Sequence, residues 1–222
     1  MTGLPVAAGL TGAVLAIVYG AALVAQAPGR LRSVVKTGAV VALGVAALAC
    51  GAPWLLVAAL GASATGDWML SRPGEGAFLT GVGAFAAAHL AYIALFLSVP
   101  DAGGVELGLG GVFAGAALTG LGLGMAAVLW PRVGPLRGPV MAYVAIILVM
   151  GWAALMVPGS GALRLVLPAA LLFVASDTVL ALERFVIGDT HRAAPVLARI
   201  VWVSYWNAQA LFALAFCLQS LR

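Results

Sequence analysis

Charge is scarce in this sequence: only 8% of its 222 residues are Asp, Glu, Lys or Arg, against roughly 25% in a soluble domain. A water-facing surface cannot be assembled from so few, so a soluble domain is excluded. Histidine is limited to His89 and His191. A three-histidine zinc site therefore cannot be built, and no metal or other cofactor is expected. Cysteine is limited to Cys50 and Cys217, with no CxxC or metal spacing. Both sit at the ends of apolar runs and are expected to be unpaired, buried small side chains. There is no G-x-S-x-G elbow to support a serine nucleophile at Ser63 or Ser176. No basic segment precedes the first apolar run, which therefore reads as a first span and not a cleaved signal. The net charge of +4 comes from basic residues scattered one or two per connection. That pattern belongs to membrane topology and not to nucleic-acid binding.

What the chain has in abundance is apolar sequence, 64% of the total. Runs over about 4–26, 34–50, 53–71, 77–99, 107–130, 138–157, 160–185 and 196–219 each approach the roughly 20 residues needed to cross a bilayer as a helix. They are too long, and too rich in Ala, Leu and Gly, for the short alternating strands of a membrane barrel. The expected fold is all-α: a polytopic membrane helix bundle of about eight transmembrane helices, forming a single transmembrane domain over residues 1–222. Arg30, Arg32, Arg72, Arg132, Arg137, Arg184, Arg192 and Arg199 lie at the first, third, fifth and seventh connections. The other side holds Arg164 and Arg222 with the acidic Asp101 and Glu106. Positive charge stays in the cytoplasm, so both termini are expected outside it, in a bacterial-type inner (plasma) membrane. Gly111-x-x-x-Gly115 and Gly120-x-x-x-Gly124 predict close helix packing; a seam between two copies of the chain is the alternative use. No internal repeat is expected.

Charge inside a span costs about 2.5–3.5 kcal/mol on insertion scales. Lys36, Asp67, His89 and Asp177 nevertheless lie inside spans, with Tyr92, Tyr143, Ser176, Tyr205 and Gln209 as uncharged polar companions. The orientation puts most of them at one depth in the cytoplasmic half, on six helices, with His89 deeper. Helical spacing places Tyr205 with Gln209, His89 with Tyr92, and Ser63 with Asp67 on shared faces, and sets Arg184 two turns beyond Asp177. Lys36 is open to a second reading as a snorkelling side chain, His89 as a packing residue, and Tyr143 and Tyr205 as members of an aromatic belt. The two aspartates are too short to snorkel and have no basic partner one helical turn away. Two buried carboxyls, one protonated and one ionised, suit metal-free acid–base hydrolysis. Intramembrane aspartates also serve proton relays, so a proton-coupled transporter or lipid carrier is the alternative, and polar residues acting only as interhelical glue a third reading.

Gly66-Asp67, Phe85-x-x-x-His89-x-x-Tyr92, Ser176-Asp177 with Arg184-Phe185, Tyr205-x-x-x-Gln209 and Lys36, in that order and over nearly the whole chain, resemble the YhhN family of integral membrane lysoplasmalogenases. One departure is Thr37 after Lys36, where the family pattern has proline. The resemblance implies hydrolysis of the vinyl ether of a lysophospholipid substrate, giving a fatty aldehyde and glycerophosphoethanolamine or glycerophosphocholine. It implies Asp67 and Asp177 as catalytic residues, with Asp177 taken as acid and Asp67 as base. Lys36 and Arg184 would hold the phosphate. His89, Tyr92, Tyr143, Ser176, Tyr205 and Gln209 would line the substrate site and orient its groups, and the lipid tail would lie between helices.

Overall fold

The computed structural model describes residues 3–188 and 191–220 of the chain. Among these residues there is no strand, and eight α-helices follow one another. They are α1 (Gly3–Val18), α2 (Arg30–Ala49), α3 (Trp54–Leu70), α4 (Glu75–Leu97), α5 (Leu109–Leu129), α6 (Arg137–Leu155), α7 (Val166–Leu182) and α8 (Ala194–Ser220). With their flanking turns, seven are long and apolar enough to cross a membrane. The exception, α3, has 17 residues, or about 25 Å by helical rise, slightly under a hydrocarbon thickness of about 30 Å. Large apolar side chains such as Leu10, Ile17, Leu48, Phe113 and Leu123 face outward. Outward apolar groups suit lipid as solvent, and the helices satisfy their own backbone. The protein is a multi-pass membrane helix bundle.

Local chemistry explains the boundaries. The α2–α3 connection is short because Gly51 adopts φ +72°, a conformation costly for other residues, and Pro53 then precedes α3. Helix α2 begins at Arg30, four residues before its apolar run, because arginine is a good helix former whose stem can lie along apolar surface. Helices α1 and α7 end in π-helical turns, Tyr19–Leu23 and Glu183–Ile187. Such turns often mark functional sites, and both lie at the end of the bundle that carries the arginine-rich connections.

Packing shows an organisation not expected from the sequence. Within the first half α1 packs on α2, α2 on α3 and α3 on α4; within the second, α5 packs on α6, α6 on α7 and α7 on α8. The halves join through α4 on α6 and α2 on α8, the same pairing with the halves exchanged. Phe85, His89, Tyr92 and Phe96 on α4 repeat the spacing of Tyr205, Gln209, Phe212 and Phe216 on α8. Like meets like across the centre: ring centroids are 5.7 Å apart for Phe85 and Tyr205, 4.4 Å for Tyr92 and Phe212, and 6.4 Å for Phe96 and Phe216. The two four-helix halves thus correspond in helix pairing and in this aromatic spacing, a correspondence the sequence reading did not bring out. The spacing recurs while the residues at equivalent positions differ.

Two expectations are revised. Cys50 and Cys217 form a disulfide with Cα atoms 5.6 Å apart, and are not unpaired. Their separation of 167 positions hid the pairing, which needs the ends of α2 and α8 to meet. In α5, Gly115 lies under the Trp152 ring and Gly122 under Leu148 of α6, while Gly120 and Gly124 face open space. The close packing is intramolecular, and its stripe runs through Gly115 and Gly122.

Candidate active site

The buried polar residues collect toward the arginine-rich end, around two carboxylates. Asp67 sits one turn before the end of α3, next to Gly66. A Cβ on Gly66 would lie 2.6 Å from the Phe85 ring, so glycine there lets α4 close onto α3. Asp67 is 1% exposed, and its Oδ1 pairs with Lys36 Nζ from α2 at 2.8 Å. Its Oδ2 accepts the hydroxyl of Tyr205 from α8 at 2.7 Å. One oxygen pairs with a cation and the other accepts a hydroxyl, so this arrangement is that of an ionised carboxylate.

Asp177, in the last part of α7, is held differently. Its Oδ2 accepts the Tyr143 hydroxyl from α6 at 2.9 Å and faces His89 Nε2 from α4 at 3.4 Å. His89 Nδ1 lies 2.7 Å from the Phe85 carbonyl. A carbonyl only accepts, so Nδ1 is the donor. On a neutral ring Nε2 would then carry a lone pair and face another acceptor. A proton between His89 and Asp177 resolves the conflict, whether it resides on imidazole or carboxyl. The two carboxylates therefore keep different company: Asp67 faces a lysine ammonium, and Asp177 faces an imidazole.

Aromatic side chains divide and seal the site. The Phe173 ring stands 4.5 Å from His89 and 5.4 Å from Tyr205, between the two carboxylate stations. Deeper, the Tyr92 hydroxyl donates to Gln209 Oε1. Phe96, Phe212 and Phe216 close around that pair. The Ser176 hydroxyl donates to the Val201 carbonyl at 3.2 Å, tying α7 to α8. Among the described residues no three His, Cys, Asp or Glu side chains converge as metal ligands.

Two cavities open onto this centre. One, of about 720 Å³, is lined largely by apolar residues of α4 to α7, including Phe78, Val82, Met125, Leu129 and Ile147, with Tyr143 on its wall. The other, of about 750 Å³, is more polar and is lined by Arg32, Lys36, Asp67, Ser176, Arg192 and Tyr205, among others. Asp177, Arg184, Phe85, Leu70 and Leu180 line both. Of the residues singled out in the sequence, Lys36, Asp67, Tyr143, Ser176, Asp177, Arg184 and Tyr205 thus reach a cavity. His89, Tyr92 and Gln209 lie behind the walls. Arg32 and Tyr19 were missed; the signal available for Arg32 was its position one turn before Lys36 on the same face of α2.

The family model for the YhhN family matches residues 31–216, a span containing all of these residues except Tyr19. Two curated relatives, from Mycobacterium bovis and Mycobacterium tuberculosis, carry the name lysoplasmalogenase. Each is 35% identical to this chain over 164 residues, covering 72% of this chain and 59% of the relative. The chain thus spans about three-fifths of the length of those relatives. No solved structure matches.

Proposed function

The chain belongs to the YhhN family, and on that premise we propose that it is a membrane hydrolase cleaving the vinyl ether of lysoplasmalogens to a fatty aldehyde and a glycerophospho-alcohol. The observation that carries this reading is the position of Asp177. It lies where an apolar cavity, suited to an aliphatic chain, meets a polar cavity suited to a headgroup. A single-chain ether lipid has its reactive bond at that junction of apolar and polar parts.

The chemistry follows from the two carboxylates. The proton held between His89 and Asp177 is transferred to the β-carbon of the vinyl ether, leaving an oxocarbenium ion. Asp67, ionised against Lys36, stabilises the developing cation and takes a proton from the attacking water. The hemiacetal then collapses to aldehyde and alcohol. Tyr143 and Tyr205 orient the carboxylates; in the collapse Asp67 passes its proton to the leaving glycerol oxygen and the His89–Asp177 pair takes the hemiacetal hydroxyl proton, restoring the starting state. Lys36 holds Asp67 instead of the substrate phosphate. This division of roles makes Asp177 the acid and Asp67 the base.

We also propose that the site opens toward the cytoplasm and that both termini lie outside it. Two independent features support this orientation. The arginine-rich connections lie at the site's end of the bundle, while the disulfide joins the opposite ends of α2 and α8. Disulfides persist in oxidising compartments. The aromatic closure around Tyr92 and Gln209 disfavours a transport path through the bundle. Purified protein given a vinyl-ether lysophospholipid should release aldehyde, detected by mass spectrometry. Asp67→Asn and Asp177→Asn should each slow release by about 10²–10⁴-fold; undiminished rates in both would refute the mechanism.

A further inference from the structure

Engagement of Lys36 by Asp67 leaves open which group meets the anion of a phospholipid substrate. Arg32 lies four residues before Lys36, about 6 Å nearer the helix start by helical rise, and lines the same polar cavity. The two carboxylates of the site face Lys36 and His89, not Arg32. Its guanidinium is held in place by other means. Nη2 donates to the Val24 carbonyl at 3.1 Å, immediately after the π-helical turn of Tyr19–Leu23. The Tyr19 ring lies 5.9 Å from the guanidinium carbon. Nε is buried and has no hydrogen-bond partner. Arg184, His191 and Arg192 line the same cavity from the α7–α8 side, so the cations Arg32, Lys36, Arg184 and Arg192 share its wall with the carboxylates Asp67, Asp177 and Glu183.

We propose that the polar cavity is a phosphate subsite centred on Arg32, which binds the phosphodiester anion of the lipid headgroup. A guanidinium suits this task because its planar donors match phosphate oxygens two at a time. The subsite also sets depth. In a lysophospholipid, the three glycerol carbons separate the phosphate ester oxygen from the ether oxygen. A phosphate on Arg32 therefore carries the ether about one helical turn deeper, to the level of Lys36 and Asp67. Phosphate recognition thus serves as a ruler that aligns the reactive bond with the carboxylates. The proposal rests on the hydrolase reading for its substrate, but its test does not depend on turnover.

The test uses full-length protein in detergent and an uncleavable ligand, a 1-O-alkyl lysophosphatidylethanolamine, with binding followed by tryptophan fluorescence. The expected result is that Arg32→Ala weakens binding at least tenfold and Arg32→Lys weakens it less. Arg132→Ala, in the α5–α6 connection, should bind like the wild type. The corresponding alkylglycerol, which lacks phosphate, should bind equally to wild type and Arg32→Ala; this also checks that the variant is folded. Equal affinity of the wild type for the two ligands would overturn the proposal, as would equal weakening of both by Arg32→Ala. Inorganic phosphate that displaces the lipid at concentrations near the lipid's own dissociation constant would assign the site to free phosphate and overturn the headgroup claim. Because this binding needs no turnover, Arg32-dependent binding of the alkyl ligand together with no aldehyde release from a vinyl-ether lysophospholipid would refute the hydrolase reading alone.

Discussion

At the scale of the residue, the two carboxylates differ in the company they keep. Removing one member of a buried ion pair leaves an uncompensated charge and typically costs about 3–5 kcal/mol. Lys36→Met should therefore lower thermal stability strongly, and adding Asp67→Asn to it should recover part of the loss. A double variant no more stable than Lys36→Met would show that the pair is not coupled. Tyr205→Phe removes one hydrogen bond to a charged group, worth about 1.5–3 kcal/mol, and should slow turnover by about 10–100-fold. His89 touches Asp177 but lines neither cavity, so His89→Asn should lower kcat while leaving KM near its original value. A comparable rise in KM would instead place His89 against substrate. The sequence already drew attention to these residues, because each is a polar group in a span. It left their pairing hidden. Lys36 meets Asp67 and His89 meets Asp177 across different helices, and no local spacing encodes such contacts.

At the scale of the element, site geometry depends on how closely helices approach. Gly66 admits the Phe85 ring, and through it α4 is seated beside Asp67. Gly66→Ala would force the helices apart and should cost about 1–3 kcal/mol, as overpacking does, with a parallel loss of activity. Gly124, whose Cβ position is open, provides the contrast. Gly124→Ala should be neutral or slightly stabilising, since alanine is the better helix former. Thermal unfolding of the two variants distinguishes these effects; equal destabilisation would contradict the packing described. Helix number and approximate bounds were legible because length and hydropathy are local properties. The revised glycine stripe was less so, since the facing residues Trp152 and Leu148 decide which glycines are needed.

At the scale of the whole molecule, two four-helix halves surround one centre and differ in what they bring to it. Equivalent positions carry His89 in one half and Gln209 in the other, so similarly paired halves present an asymmetric site. The correspondence of the halves was not legible because aromatic rings on a common spacing, with different identities, are a weak signal in a chain that is mostly apolar. The disulfide escaped for a related reason, being a contact between the two halves. It fastens α2 to α8, the helices that supply both partners of Asp67. Replacing both cysteines with alanine should cost about 2–5 kcal/mol, measured by thermal unfolding. In intact cells, after reduction, a membrane-impermeant thiol reagent should label Cys50 and Cys217; labelling only after the membrane is opened would reverse the proposed orientation. The central claim is acid-initiated cleavage of a vinyl ether by this paired-carboxylate site, and hydrolysis in heavy water tests it most directly. The account predicts that wild-type protein releases an aldehyde carrying one deuterium on the carbon next to the carbonyl, and that Asp177→Asn releases almost none. Aldehyde without deuterium, or undiminished release from Asp177→Asn, would contradict it.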